Sequence, residues 1–489
     1  MSLYKNLFKQ TLIYGLATVI PRLISFVLNP IYVLYLTKSK MGEVSVVFSY
    51  LVFFNVIMSY GMETAFFRFY NAEENDKKSV ISTSTISLFW SSIGFLVLGL
   101  LFRNTLADWS DIKVEHITYT IWILTFDTLA IIPFSKLRAE RKPIKYAAIK
   151  IGNTLISLAL TIFFLAILPN LAAHNPDGFF NTIYIENYQL GYIFISFVVA
   201  SLATFLVLIP NYTKISWQFD AVLWKKMMKY GLPILFAGIA FAINEHFDKI
   251  LLNWMHIPLS DIGAYSACYK IGMFMVLFRT AYTLGIEPFF FSHASNENAQ
   301  QTYATITKYF VIFGSFICLF VIVFADLLKQ VLVPNPAYWN AMKVVPLIVL
   351  ANFFLGIYTN LSVWYKLIDK TRIGAYISIV GALVTLVLNY VLIKQGLSYY
   401  GSAIATIAAY GTMMVISYQM GQKQYPIPYD ITTLLKYLSL SIVFSAISFY
   451  IPSLRENYGV KILLLALFLY FIYRNEKETL LRIVKRKTK

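Results

Sequence analysis

Apolar residues in this chain come in long uninterrupted blocks, and that arrangement limits the fold more than any other feature. Ile151–Leu168 and Ile373–Ile393 contain no charged side chain, and about 20 consecutive apolar residues suffice to cross a ~30 Å hydrocarbon core as a helix. A membrane-spanning strand would alternate polar and apolar positions, and no such period is present. Charged residues make up 13% of the 489 and hydrophobic ones 58%, against about 25% and 45–50% in ordinary soluble domains. The expected fold class is therefore an all-α integral membrane protein.

Blocks between polar breaks give about fourteen transmembrane helices by the length criterion. They lie near 11–36, 43–63, 80–102, 116–135, 146–168, 188–210, 230–254, 262–286, 305–328, 341–365, 373–394, 400–420, 434–452 and 459–474. Met1–Gln10 is a short amphipathic start with Lys5 and Lys9, and no small-residue cleavage site follows, so the first helix is expected to stay in the protein. Cys268 and Cys318 fall inside apolar spans and read as small buried hydrophobes.

An even number of spans puts both termini on one side. With that side cytoplasmic, most of the 41 Lys and Arg residues lie on it, including the run Lys136, Arg138, Arg141, Lys142, Lys145 and the tail from Arg474. The opposite loops keep Lys38, Lys40, Arg103, Lys113, Lys329, Lys343, Lys394, Arg455 and Lys461. This asymmetry fits the positive-inside rule. Basic loops facing anionic headgroups also account for the +17 net charge, so membrane lipids are expected partners and nucleic acid is not. The longest outer loop, about 169–187, has no Lys or Arg and is too short for a catalytic domain.

The chain repeats itself. Gly61, Glu63, Phe66, Phe67 and Glu73 recur at a shift of 224 as Gly285, Glu287, Phe290, Phe291 and Glu297. Tyr14-Gly15-Leu16 is echoed by Tyr230-Gly231-Leu232, and Leu137–Lys142 by Lys366–Thr371. The shift covers six helices, so the halves share orientation and are related by an axis along the membrane normal. The expected layout is an N-lobe over 1–210, a cytoplasmic linker over 211–229, a C-lobe over 230–422, and two further helices with a basic tail over 423–489. Two such lobes enclose a central cavity, as in secondary transporters; a duplicated bundle without moving parts is the plainer reading.

A charge at mid-helix costs roughly 2.5–3.5 kcal/mol on insertion scales, so each one requires a reason. Arg22 follows Pro21, precedes Pro30, and shares a helix face with Ser25 and Asn29. Two readings stand: a cation in the lumen for an anionic headgroup, or an arginine paired with a buried acid such as Asp127. The seventh span carries Asn244, Glu245, His246, Asp248 and Lys249. Glu245 and Lys249 are spaced for an intrahelical ion pair; the alternative is that Asp127, Glu245, His246 and Asp248 serve ion coupling to H+ or Na+. The eighth span adds Lys270 and Arg279, half a turn out of phase, with Arg279 the deeper. Arg22, Lys249, Lys270 and Arg279 are the candidate cations for an anionic substrate, because arginine grips phosphate oxygens in a bidentate manner. Glu63 and Glu287, matched by the repeat, are candidate gate residues or ordinary interface anchors. No nucleotide-binding glycine loop, metal cluster or nucleophile triad is present, so neither a cofactor nor enzymatic activity is expected.

Fourteen spans as two six-helix lobes plus two, a basic amphipathic start, a proline-kinked first helix with arginine, and the basic loop after the fourth span together form a pattern. It resembles the polysaccharide-exporter branch of the multidrug/oligosaccharidyl-lipid/polysaccharide (MOP) flippase superfamily, with its MATE-like architecture, and is similar to O-antigen translocases of the Wzx type. The resemblance implies a bacterial inner-membrane protein that moves an undecaprenyl-diphosphate-linked oligosaccharide to the outer leaflet by alternating access, with polysaccharide-assembly proteins as expected partners. It also implies that Arg22 stands where related lipid II flippases keep a cavity arginine. The runners-up are a cation-coupled drug exporter of the same superfamily and, in a different class, a membrane glycan polymerase or ligase.

Overall fold

The computed structural model describes residues 3–487 apart from 214 and 293–296, and leaves the side chains of 1–12, 287–288, 291–292 and 478–487 undescribed. Among the described residues every regular element is helical. The long helices are α1 (Leu3–Tyr35), α2 (Lys38–Ser59), α3 (Lys77–Leu101), α4 (Val114–Ala139), α5 (Pro143–Ile162), α6 (Gln189–Leu208), α7 (Ala221–Trp254) and α8 (Leu259–Gly272). They continue as α9 (Phe274–Ser292), α10 (Ala299–Val323), α11 (Val345–Leu361), α12 (Arg372–Leu392), α13 (Ser398–Gln424), α14 (Ile431–Tyr450) and α15 (Tyr458–Lys487).

Among the described residues twelve helices are long and apolar enough to cross a membrane, where the sequence reading counts about fourteen. The two spans expected at 373–394 and 400–420 lie in one 53-residue helical run. That run is interrupted by left-handed backbone at Gly396 (φ 86°) and Ser398 (φ 48°). The expected eighth span is divided between Gly272 and Phe274, leaving Phe274–Ile286 as a shorter apolar helix.

Local chemistry sets the helix ends. Asp76, Asp220 and Asp430 cap α3, α7 and α14 by accepting backbone N–H groups of the first turn, which supplies partners for otherwise orphaned donors. The basic loops matched by the repeat share a C-terminal geometry. Lys142 N–H bonds the Leu137 carbonyl at 2.9 Å with Arg141 left-handed, and Lys370 N–H bonds the Tyr365 carbonyl at 2.8 Å with Asp369 left-handed. Both are Schellman endings. Within the helices hydroxyls donate to carbonyls one turn back, as Thr120, Thr125 and Thr128 do on α4, because lipid offers them no water.

Contacts divide the chain into two units: Met1–Ser266 with Asn389–Tyr399, and Ala267–Leu388 with Tyr400–Lys489. In the first, α4 packs on α6 and α3, α1 and α6 on α5, and α7 on α2. Because lipid tails are as apolar as Leu, helices in a membrane gain by close approach rather than by burial, and small residues permit it. α2 meets its neighbours through glycines at both ends. A Cβ on Gly61 would stand 2.1 Å from the Gly231 carbonyl oxygen, and one on Gly263 would stand 1.9 Å from that of Lys38. Near the first of these contacts, the short helix Met62–Asn71 buries Met62, Ala65 and Phe66 against Val80, Leu88, Ile132, Leu223 and Met227. In the second unit α10 packs on α14, α11 and α15, and α9 packs on α11.

Candidate functional site

α1 continues through Pro21 and Pro30, each of which removes a backbone donor and releases the carbonyl one turn earlier. Leu16, Leu23, Val27 and Leu34 form its exposed stripe, at angles of about 0° on a 100° per residue helix. Arg22 and Ser25, both half-buried, and Asn29, buried, fall on the opposite side. Arg22 is therefore set off the exposed apolar stripe. The Ser25 hydroxyl donates to the Arg22 carbonyl at 2.6 Å.

A polar seam crosses the first unit. Asp127 on α4, weighed above as a partner for Arg22, accepts the Ser201 hydroxyl of α6 at 2.7 Å, with Asn55 of α2 beside it. One turn along, Asn153 of α5 donates to Thr204 of α6 at 3.0 Å. Asn55, Asn153, Ser201 and Thr204 were missed in sequence; single hydroxyls and amides inside apolar spans were the available signal. The same reading missed Glu43 on α2, which meets buried His116 of α4 at 2.6 Å.

The α7 cluster resolves into parts. Asn244, Asp248 and Lys249 are buried. The Lys249 ammonium donates to Asp248 Oδ1 and Oδ2 at 3.1 and 3.2 Å. The Tyr265 hydroxyl of α8 donates to Asp248 Oδ2 at 2.7 Å, and Lys249 lies 5.2 Å from its ring centroid. Lys249 thus enters as half of an ion pair, not as a lone cation. Glu245 and His246 stand 3.7 Å apart on a more exposed face.

In the second unit Lys270 and Arg279 are half-buried. The phase argument that set them on opposite faces presumed one continuous helix, and the break at Met273 removes that premise. Thr283 donates to the Arg279 carbonyl at 2.8 Å, and a Cβ on Gly356 of α11 would stand 3.8 Å from Arg279 Cγ. α9 also carries Phe278 and Tyr282, which with Ile286, Tyr309, Phe310 and Phe313 line an apolar pocket of about 310 Å³. The Tyr282 hydroxyl donates to Asn360 Oδ1 at 2.5 Å.

Glu63, at the start of the Met62–Asn71 helix, takes the Arg138 guanidinium at 2.8 Å, and Arg138 lies over Phe67 at 4.7 Å. Glu287, its repeat partner, lies outside the described side chains. The glycines before them differ: Gly61 is left-handed (φ 72°), whereas Gly285 sits inside α9 with open space where a Cβ would be.

The sequence profile of the family described as Polysaccharide biosynthesis protein matches residues 7–284, more than half of the chain. The chain belongs to this family. A second profile, MatE, matches residues 233–391. No curated protein matches the sequence. Among solved structures, "Lipid II flippase MurJ, inward closed conformation" superimposes with a TM-score of 0.71 at 17% identity, covering 95% of this chain and 99% of that one. An inward-facing MATE multidrug transporter of the MOP superfamily gives 0.63 at 13% identity over 85% and 96%. A MOP superfamily transporter from Pyrococcus furiosus, described as having a binding pocket of reverse polarity, gives 0.58 at 12% over 87% and 96%. The chain is a multi-pass membrane protein with the fold of the MOP transporters.

Proposed function

We propose that this protein is a flippase that moves an undecaprenyl-diphosphate-linked oligosaccharide from the cytoplasmic to the outer leaflet of a bacterial inner membrane. The observation that carries the reading is Arg22, in the middle of an apolar helix between two prolines and set off the exposed apolar stripe. The polysaccharide biosynthesis family and the likeness in fold to a lipid II flippase support a lipid-linked glycan as the substrate. The headgroup enters an inward-open cavity with its polyprenyl tail left in lipid, Arg22 takes diphosphate oxygens, and the lobes alternate. Lys270 and Arg279 are the second-lobe candidates for the same anion. The membrane potential acts on such a headgroup at about 2.3 kcal/mol per charge per 100 mV. Both termini are assigned to the cytoplasm by the basic loops. Assembly proteins that act on the same glycan are the expected partners.

The experiment is ligand-dependent thermal stability of the purified protein in detergent, with undecaprenyl diphosphate against a lipophilic cationic drug, for wild type and Arg22→Ala. Stabilisation by the diphosphate lipid alone, reduced roughly tenfold in apparent affinity by the substitution, is the expected result. Stabilisation by the cation alone would sink the flippase reading.

One observation favours the alternative, a cation-coupled exporter: Asp127 sits in a seam of Ser201 and Asn55, a setting suited to binding H+ or Na+. Under that reading Asp127→Asn abolishes ion-dependent protection of the protein while Arg22→Ala leaves it intact.

A further inference from the structure

Four of the cations that the sequence places on the loops opposite the basic tail, far apart in the chain, come together in the second unit. The short helix Ala325–Leu332, the 3-10 turn Pro336–Val344 and the link Pro452–Arg455 meet the first turn of α15. Between them lies a cavity of about 610 Å³, lined by Lys329, Lys343, Arg455 and Lys461 and by only two carboxylates, Asp326 and Glu456. That size falls within the range of small-ligand sites.

Asp326 already accepts three hydrogen bonds. Arg455 grips it with two hydrogen bonds, Nε to Oδ2 at 2.8 Å and Nη2 to Oδ1 at 2.7 Å, and Lys329 Nζ adds a third at 2.8 Å. Lys461 is left with a Coulombic contact: its Nζ stands 3.7 Å from Asp326 Oδ2, although the residue is only 2% exposed. Glu456 and Lys343 are exposed at the rim. The interior therefore holds three cations around one carboxylate. A surplus charge away from water is costly unless an anion neutralises it. Aromatic faces hold these cations in place: Lys329 over Trp339 at 4.3 Å, Arg455 over Phe449 at 4.2 Å, Lys461 over Tyr458 at 4.9 Å. A pre-organised pocket for an anion results.

The surroundings indicate which anion. Just beyond Lys461, α15 exposes Ile462, Leu463 and Leu467, the start of an apolar face that only hydrocarbon would cover. The cavity thus opens where headgroups meet acyl chains, at the end of α15 remote from the tail. We propose that it binds the phosphate of an anionic lipid headgroup, with the lipid's chains lying along α15. Two sources share this chemistry: a phospholipid of the bilayer, or a polyprenyl phosphate after transfer.

The test is native mass spectrometry and thermal stability of the delipidated protein with phosphatidylglycerol, phosphatidylcholine or undecaprenyl phosphate, for wild type, Lys461→Gln, Lys343→Gln and Arg22→Ala. The proposal expects phosphatidylglycerol to bind wild type more tightly than phosphatidylcholine, and each pocket substitution to weaken it roughly tenfold, the loss of one charge-assisted contact. Arg22→Ala leaves this binding intact, which separates the pocket from the flippase reading. Displacement of phosphatidylglycerol by undecaprenyl phosphate, lost in Lys343→Gln, assigns the site to the polyprenyl lipid; failure to displace it assigns the site to the bilayer lipid. Equal binding of the two phospholipids, or affinity unchanged by the pocket substitutions, overturns the proposal. If Lys461→Gln does not fold, Lys343→Gln, altered only at an exposed side chain, still decides.

Discussion

Single side chains in this protein matter chiefly through their partners. Asp248 is buried with both oxygens engaged by Lys249 and Tyr265, so its removal takes the paired carboxylate from a buried ammonium. Breaking such a pair costs about 3–5 kcal/mol; Asp248→Asn is expected to lower the melting temperature far more than Tyr265→Phe, which deletes one hydrogen bond worth about 1–3 kcal/mol. Differential scanning fluorimetry of the two variants checks the ranking, and equal losses would contradict the ion-pair account. Outside the membrane spans, Asp326 gives a pH prediction. Burial pushes its carboxyl up, but the hydrogen bonds and charges of Arg455 and Lys329 outweigh that and hold it well below the usual carboxylate range. A depressed folded-state value means stability that is present above the unfolded carboxyl pKa of about 3.9 and is lost as pH falls through the lower folded value. Melting temperature should therefore fall below about pH 4, with a flatter profile in Asp326→Asn. At this scale the sequence marked the unusual residues, among them Arg22, Asp127 and Asp248, because a charge in an apolar block is visible without a structure. It did not reveal Ser201, Asn55 or Tyr265, which look ordinary until they face a carboxylate.

Helices here are positioned by backbone proximity and by caps. The α2–α7 contact depends on Gly61 in two ways, since its left-handed φ is strained for any side chain and a Cβ would meet the Gly231 carbonyl oxygen at 2.1 Å. Gly61→Ala is expected to cost about 1–3 kcal/mol through strain and overpacking, whereas Gly94→Ala, at a position with open space, should be neutral or mildly stabilising through helix propensity. Fluorescence-detected size exclusion after graded heating separates the two outcomes. The two basic loops end their helices alike, Leu137–Lys142 and Tyr365–Lys370 both closing with Schellman geometry, one residue out of the register at which the sequence pairs Leu137–Lys142 with Lys366–Thr371. The repeat departs at the matched glycines, where Gly61 bends the chain and Gly285 does not. Equal residues adopt different backbone because only Gly61 is pressed against another helix.

For the whole molecule, the testable quantity is orientation. Cys268 and Cys318 are buried, so single engineered cysteines report cleanly. An impermeant maleimide applied to intact cells should label Asn457→Cys, in the link before α15, and spare Lys477→Cys until the membrane is opened. The reverse pattern would invert the assigned topology and with it the side on which the cationic pocket opens. The α8–α9 division at Met273 and the break at Gly396 and Ser398 within the run from Arg372 to Gln424 show where a span read from hydropathy and a continuous helix part company. Hydropathy records where the chain is apolar, not where it bends.

The sequence by itself determined the solvent this protein folds in, its all-helical class and the family it belongs to, because bilayer thickness and backbone hydrogen bonding leave an apolar chain few alternatives. Only the tertiary structure decided which charges meet. Asp326 is joined by Arg455 and Lys461, more than a hundred residues away, and Lys249 is neutralised at Asp248 beside Tyr265. The period of a single helix specifies which face a residue occupies, while the neighbour across that face is set by packing among helices distant in the chain.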